Sequence, residues 1–250
     1  MPAETMRDPV SDPIQMLWIG ELSKLERMAL TSFVANGHTV HLYAYDDLAG
    51  VPAGVQVIDA REILPKERIF RYGPEAGAGE GSLANFANLF RYKLLYERGG
   101  WWVDADVVCL RPFDFQAPYV FAYQDETSIN CAVMRLPQGS AIAQSLYEEA
   151  TSRGTSTKWG EIGPDLFSSK VEEFGLGEYA LPPRTFFPIY HKFALLLYIA
   201  DNKEGSLEQS LKDSHAVHFW NEILRRTGQD KNGDFPPTSI YERLKARFGV

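Results

Sequence analysis

The order of apolar runs in the first sixty residues constrains the fold most. "IQMLWIG", residues 14–20, is an unbroken apolar run ending on Gly20 and reads as a buried strand. "SKLERMALTSFVANG", 23–37, has the spacing of a helix: Ser23 stands at the N-cap, Glu26 completes a capping box, and Gly37 supplies a stop. "HTVHLYAYDD" and "VQVID" (55–59) then read as a second and a third strand, the second carrying Asp46 and Asp47 at its carboxyl end. Strand, helix and strand joined by short links form the pattern of an α/β layer with parallel strands.

The rest of the chain continues in kind. "RYGPEAGAGEG" (71–81) is glycine-rich, but no apolar strand leads into it, so a flexible loop is expected rather than a phosphate cradle. In "SLANFANLFRYKLLYERGG", Leu83, Phe86, Phe90 and Leu94 make a helical stripe between an N-cap at Ser82 and a stop at Gly99. "YVFAYQD" and "INCAVMRLP" read as strands, "SAIAQSLYEEATSRG" as a helix, and another helix starts near Pro164. "HAVHFW" is a short strand and "TSIYERLKARFGV" a basic amphipathic helix. No repeat or composition shift divides the 250 residues, so one domain is expected, with 1–13 flexible and 238–250 forming the C-terminal helix.

A net charge of −8 argues against general nucleic-acid binding, because phosphate backbones select basic faces. Cys109 and Cys131 are too few for a disulfide scaffold and read as buried, reduced thiols. The N-terminus shows no apolar signal core, and the longest apolar candidate, "FALLLYIA", is far short of the roughly 20 residues a membrane span needs. A cytoplasmic location is expected, with peripheral contact to the inner membrane face open to the basic C-terminal helix.

The chemistry concentrates in "GGWWVDADVVCL", residues 99–110. Asp104 and Asp106 lie one residue apart in an apolar run, and residues i and i+2 of a strand share a face. Two buried carboxylates repel one another and resist desolvation unless a cation joins them. Mg²⁺ or Mn²⁺ suits such oxygen donors and leaves positions open for substrate phosphates. The plain alternative is one aspartate capping a turn and the other paired with an arginine. An apolar strand ending in DxDxV also resembles the first motif of haloacid-dehalogenase-type phosphohydrolases, in which a helix follows; here "CLRPFDF" follows instead.

The longer block "NLFRYKLLYERGGWWVDADVVCLRPF" resembles the core of DXD sugar transferases with a GT-A fold. It is most similar to the glycosyltransferase family 32 group, with the capsular and α-1,4 sugar transferases and the clostridial glucosylating toxins as relatives. The carriers are Arg91, Gly99, Gly100, Trp101, Asp104, Asp106 and Pro112. "MLWIGEL" resembles that family's first strand and "NCAVMRLPQGS" its sugar-pocket strand, and "HFWN" resembles a segment that closes over the diphosphate. One departure is Ala87-Asn88 where the family often has Ser-Asp, so donor-sugar recognition can differ.

The resemblance implies a Rossmann-like α/β domain, with a mainly parallel sheet flanked by helices and the nucleotide at the carboxyl ends of its strands. It implies that Trp18 stacks on the base and that Tyr45 or Asp46 contacts base or ribose. Asp104 meets the ribose or the metal shell, Asp106 binds Mn²⁺ or Mg²⁺, and His218 is a further metal ligand. Arg91 reaches sugar or diphosphate, Asn88, Asn130 and Asn221 serve nucleotide-sugar binding, and Asp165 either stabilises positive character on the sugar or serves as an N-cap or first-turn acid opposing the helix dipole. A place along the acceptor cleft is open to His191 and Arg184, with structural use the better reading. Trp101, Trp102 and Trp220 read as core. The implied reaction moves a sugar from a nucleotide-sugar donor, UDP favoured, to a glycan or lipid-linked saccharide acceptor with retention, as in polysaccharide biosynthesis. A metal-dependent phosphohydrolase and a non-catalytic sugar-nucleotide-binding module are the competing readings.

Overall fold

The computed structural model describes residues 12–201 and 206–250. Its first unit is strand β1 (Ile14–Trp18), helix α1 (Lys24–Ala35), strand β2 (Val40–Ala44) and strand β3 (Val55–Asp59). The capping box forms: the Ser23 hydroxyl accepts from the Leu25 N–H, and Glu26 accepts from the Ser23 N–H at 2.8 Å. β1 runs parallel to β2 with Ile14 opposite Val40, and β2 runs parallel to β3.

Helix α2 (Ala84–Arg98) leads into β4 (Gly100–Val103) and β5 (Val107–Cys109). Its N-cap is Leu83, one residue later than expected, while the Ser82 hydroxyl accepts from the Ala84 N–H at 3.2 Å. Gly99 ends it at φ +65°, with Gln138 packed so close that a Cβ would lie 2.4 Å from its nitrogen. After β6 (Val120–Tyr123) and β7 (Ile129–Leu136) come α3 (Ala141–Arg153), α4 (Pro164–Glu173), β8 (Ala180–Leu181) and α5 (Ser206–Leu211). The chain ends with β9 (Ala216–His218), α6 (Asn221–Thr227) and α7 (Ile240–Phe248).

Seven strands form one sheet in the order β3-β2-β1-β4-β7-β6-β8, in which β7 alone among the described residues runs antiparallel to its neighbours. The mainly parallel α/β architecture expected from the sequence is therefore the one observed. The two-residue alternation of a strand splits the adjacent tryptophans. Trp102 enters the core shared with α2, α3 and α4, and Trp101 enters the core on the opposite face with Phe33 and Phe113. A third core joins α1 to α7 through Leu25, Met28, Phe219 and Tyr241.

Three local expectations are corrected. The apolar run 100–109 is two strands: β4 stops at Val103, a turn closes with the Val107 N–H on the Asp104 carbonyl, and β5 leaves to pair with β9 in a separate two-stranded sheet. The glycine-rich stretch is not a loose loop. Residues 74–79 form 3₁₀ turns, the ends are tied by the Tyr72 N–H to the Ser82 carbonyl at 2.9 Å, and Gly79 lies flat against Trp159. The flexible start expected over 1–13 lies mostly outside the described residues, but Asp12 is held by Arg135 at 2.7 Å. Cys109 and Cys131 are buried free thiols in different cores. Among the described residues no helix is long and apolar enough to cross a membrane.

Candidate active site

The site forms where β4 ends. β1 and β4 are parallel neighbours with Ile14 opposite Trp101, so the turn after Val103 emerges beside Trp18 at the carboxyl edge of the sheet. Asp104 accepts hydrogen bonds from Arg91 Nη2 and from the Trp102 indole N–H, both at 2.7 Å. Arg91 is buried and otherwise committed: Nη1 donates to the Cys131 carbonyl at 2.8 Å and to Cys131 Sγ at 2.7 Å. The guanidinium also sits 5.0 Å over the Trp102 ring. The structure thus turns Arg91 onto Asp104 instead of presenting it to an open face, and one half of the plain alternative, an arginine pair, is present. It does not close the site, because the Asp104 side chain keeps 27% of its surface exposed.

Asp106 is bound from the other side of the chain. Val107 is paired with His218 across β5 and β9, which brings His218 Nε2 to 3.1 Å from Asp106 Oδ1. The Asn221 backbone N–H donates to Asp106 Oδ2 at 2.7 Å. Trp220 makes this contact available. It adopts a left-handed backbone at φ 53°, costly for a non-glycine residue, and so directs the next N–H at Asp106. Its indole N–H donates to the Ile189 carbonyl at 3.0 Å, and its ring lies 4.0 Å from that of His218. Trp220 therefore shapes the site rather than merely filling core.

The two carboxyls are driven apart in acidity. Burial pushes Asp104 upward, and the charge of Asp106 adds to this against the pull of Arg91. Burial pushes Asp106 the same way, but His218, the Asn221 N–H and Lys231 outweigh it and hold its pKa below the usual carboxylate value. Asp104, Asp106 and His218 each offer a ligand atom, all within 4.8 Å of one another, and His218 Nδ1 is buried with no hydrogen-bond partner among the described residues. Two carboxylates and an imidazole converging in this way fit a divalent cation.

At the carboxyl ends of β1 and β2 an open cleft of about 640 Å³ is lined by Trp18, Arg27, Tyr45 and Asp46. The Trp18 indole N–H donates to the Glu21 carbonyl, and Lys231 Nζ lies 4.7 Å over the ring. Lys231 also pairs with the capping-box acid Glu26 at 2.6 Å. Tyr45 lines the cleft, but its hydroxyl donates to the Leu64 carbonyl at 2.8 Å, and Asp46 pairs with Lys66. Asn130 is occupied within the strands: it donates to Gln124 and accepts from the Ala132 N–H, each at 2.7 Å. Asn88 is buried between Cys131 and Gly163. Asp165 is exposed in the first turn of α4, with its carboxylate over Gly160. His191 meets Trp220 edge-on with ring centroids 5.7 Å apart, whereas Arg184 is exposed.

Asp104, Asp106, His218, Arg91 and the Asn221 backbone are thus brought together, with Trp18 at the end of the neighbouring strand β1. Trp102, Cys131 and Lys231 join them unpredicted. Trp102 and Cys131 looked like core and are core, so only tertiary contact gives them a second role. Lys231 stands in "QDKNGD", where nothing in the pattern marks it.

Two family models match the chain. One, described as a glycosyltransferase sugar-binding region containing a DXD motif, matches residues 79–124. The other, described as an α-1,4-glycosyltransferase conserved region, matches residues 136–248. Among solved structures, the PaToxG glycosyltransferase is similar at 14% identity, covering 95% of this chain and 86% of its own, with a TM-score of 0.49. The glycosyltransferase GlyE of Streptococcus pneumoniae TIGR4 is similar at 12% identity, covering 95% and 64% respectively, with a TM-score of 0.47. The phosphohydrolase reading falls: the DxD turn follows a fourth strand rather than a first, and a strand rather than a helix comes next. The first matched region carries Arg91, Asp104 and Asp106, the second carries His218 and Asn221, and β5 pairing with β9 joins them, so the two regions that resemble glycosyltransferases meet at one site in this chain.

Proposed function

We propose that this chain is a metal-dependent glycosyltransferase that moves a sugar from a nucleotide-diphosphate donor, UDP favoured, to a glycan or lipid-linked saccharide, with retention at the anomeric carbon. The observation that carries this is the convergence of Asp104, Asp106 and His218 within 4.8 Å of one another after β4, whose parallel neighbour β1 ends at Trp18. A divalent ion held by those three side chains would supply Lewis-acid stabilisation of the departing nucleoside diphosphate. The mixed oxygen and nitrogen donors favour Mn²⁺ over Mg²⁺, which prefers an all-oxygen shell.

The chain's own groups do the remainder. Trp18 offers a flat ring for the base, and Lys231 places a cation near both that ring and Asp106, where phosphate charge would accumulate. Arg91 fixes Asp104 in place, and Trp220 fixes His218 and the Asn221 N–H. This is preorganised electrostatic catalysis, which needs no strong protein base. The α-1,4 description of the second matched region supports retention, because an α-linked donor then gives an α-linked product.

Thermal unfolding tests the reading, with UDP- and GDP-sugars each added with and without Mn²⁺. A bound donor at a hundredfold excess over Kd adds about 2.7 kcal/mol, a shift of about 5–10 °C for a chain of this size. A response to a UDP-sugar that requires Mn²⁺ supports it. No response to any sugar nucleotide with any divalent ion would refute it.

A further inference from the structure

A second feature lies outside the donor site. α7 contributes Arg243 and Arg247, and the segment around α5 contributes Lys212; with Arg111 they line a groove of about 500 Å³. Leu211, Ile240 and Leu244 make its apolar wall, and none of its lining residues among those described is acidic. Arg111 meets the exposed Asp213 only at 3.9 Å, and Arg247 donates to the Leu110 carbonyl at 3.4 Å. Four cations around one groove are conspicuous in a chain of net charge −8.

Next to α7 runs a 3₁₀ segment, His191–Tyr198, that is apolar on both sides. Ala194, Leu197 and Tyr198 face inward, and Tyr198 packs on Tyr241 of α7 with ring centroids 5.2 Å apart. Phe193, Leu195, Leu196 and Ile199 face out, with Phe193 59% and Ile199 50% exposed. Four large apolar side chains within seven residues are not the scattered exposure of an ordinary surface. The segment also adjoins the site: His191 lies against Trp220, which lies against His218.

We propose that this face docks the protein on an anionic bilayer, with acidic phospholipid headgroups in the α7 groove and the side chains of Phe193 to Ile199 entering the interface. Charge complementarity identifies the occupant. Cations beside exposed apolar groups match the boundary between acidic headgroups and acyl chains, whereas a soluble polyanion would leave the apolar group in water. The docking stands independently of the donor reading, since it concerns binding and not transfer. It deepens the acceptor: a saccharide on a lipid carrier would reach the site from the same surface.

Co-sedimentation tests this on the whole chain, with vesicles of phosphatidylcholine alone or doped with phosphatidylserine. Binding to the doped vesicles only, weakening with salt, is expected. Lys212→Gln with Arg247→Gln removes two exposed cations, and at about fivefold each the partition falls about 25-fold. Phe193→Ser with Ile199→Ser lowers binding while leaving its salt dependence. Both pairs are exposed, and unchanged melting temperatures confirm folded variants. Equal binding to neutral vesicles, no binding to either, or indifference to both variants would overturn the proposal. So would capture of a duplex oligonucleotide by a protein that ignores the doped vesicles.

Discussion

Arg91→Met should unfold the protein more easily because it strips Asp104 of its counter-charge. The guanidinium makes three short contacts, with Asp104 Oδ1 at 2.7 Å, the Cys131 carbonyl at 2.8 Å and Cys131 Sγ at 2.7 Å. Breaking a fully buried ion pair by removing one partner costs about 3–5 kcal/mol. Asp104 keeps the Trp102 indole N–H and a 27% exposed side chain, so the loss is discounted to about 2–3 kcal/mol. In a chain of this length that is a fall of about 4–12 °C in Tm. Urea unfolding of the wild type, Arg91→Met, Asp104→Asn and the double variant closes a thermodynamic cycle. A coupling of about 1–2 kcal/mol is expected, because most of the damage in the single variant is an uncompensated carboxylate that the second change removes. Mn²⁺ should stabilise Arg91→Met by more than it stabilises the wild type, since Asp104 then has no other cation to share. A loss under about 0.5 kcal/mol with additive changes would refute the claim that Arg91 holds this acid.

Asp106→Asn should abolish the Mn²⁺-dependent thermal shift while leaving the fold intact, because an amide oxygen still accepts from the Asn221 N–H; an unchanged Mn²⁺ response would move the ion elsewhere. Gly99→Ala should destabilise by about 2–4 kcal/mol in urea, since the residue sits at φ +65° and its new Cβ would meet the Gln138 backbone at 2.4 Å. Burial pushes the Cys131 thiol up to about 11 and the Cys109 thiol up to about 12. Both stay protonated at pH 8, so maleimide labelling of the native protein should be slow and become rapid only in denaturant.

Much of the fold was legible because its strands are apolar runs broken by strong caps. Ser23 and Glu26 announce α1, and Gly99 announces both the end of α2 and the start of β4. The strand break at Asp104 was not legible. Residues 100–109 are apolar throughout apart from the acids, and what stops β4 is the competing attraction of β9, whose residues come about 110 positions later. The glycine-rich stretch misled for a similar reason, since its order comes from Trp159. In the site, Asp104, Asp106 and His218 were readable because only a few residue types can serve as ligands of a divalent ion. Asn130 carries the right chemistry, but Gln124 and the Ala132 N–H already use it. Lys231 and Cys131 were unreadable because a lysine in a loop and a thiol in a strand gain meaning only from their neighbours.

The pairing of Val107 with His218 sets the order in which the centre can come into being. A nascent chain possesses both acids long before it possesses the imidazole, and the imidazole arrives only when the last strand closes. On the proposed reading, affinity for a divalent ion would therefore be a property of the finished molecule. A chain cut before β9 would hold the signature motif and lack the centre, and an ion added during refolding would reward the completed topology without hastening its first steps.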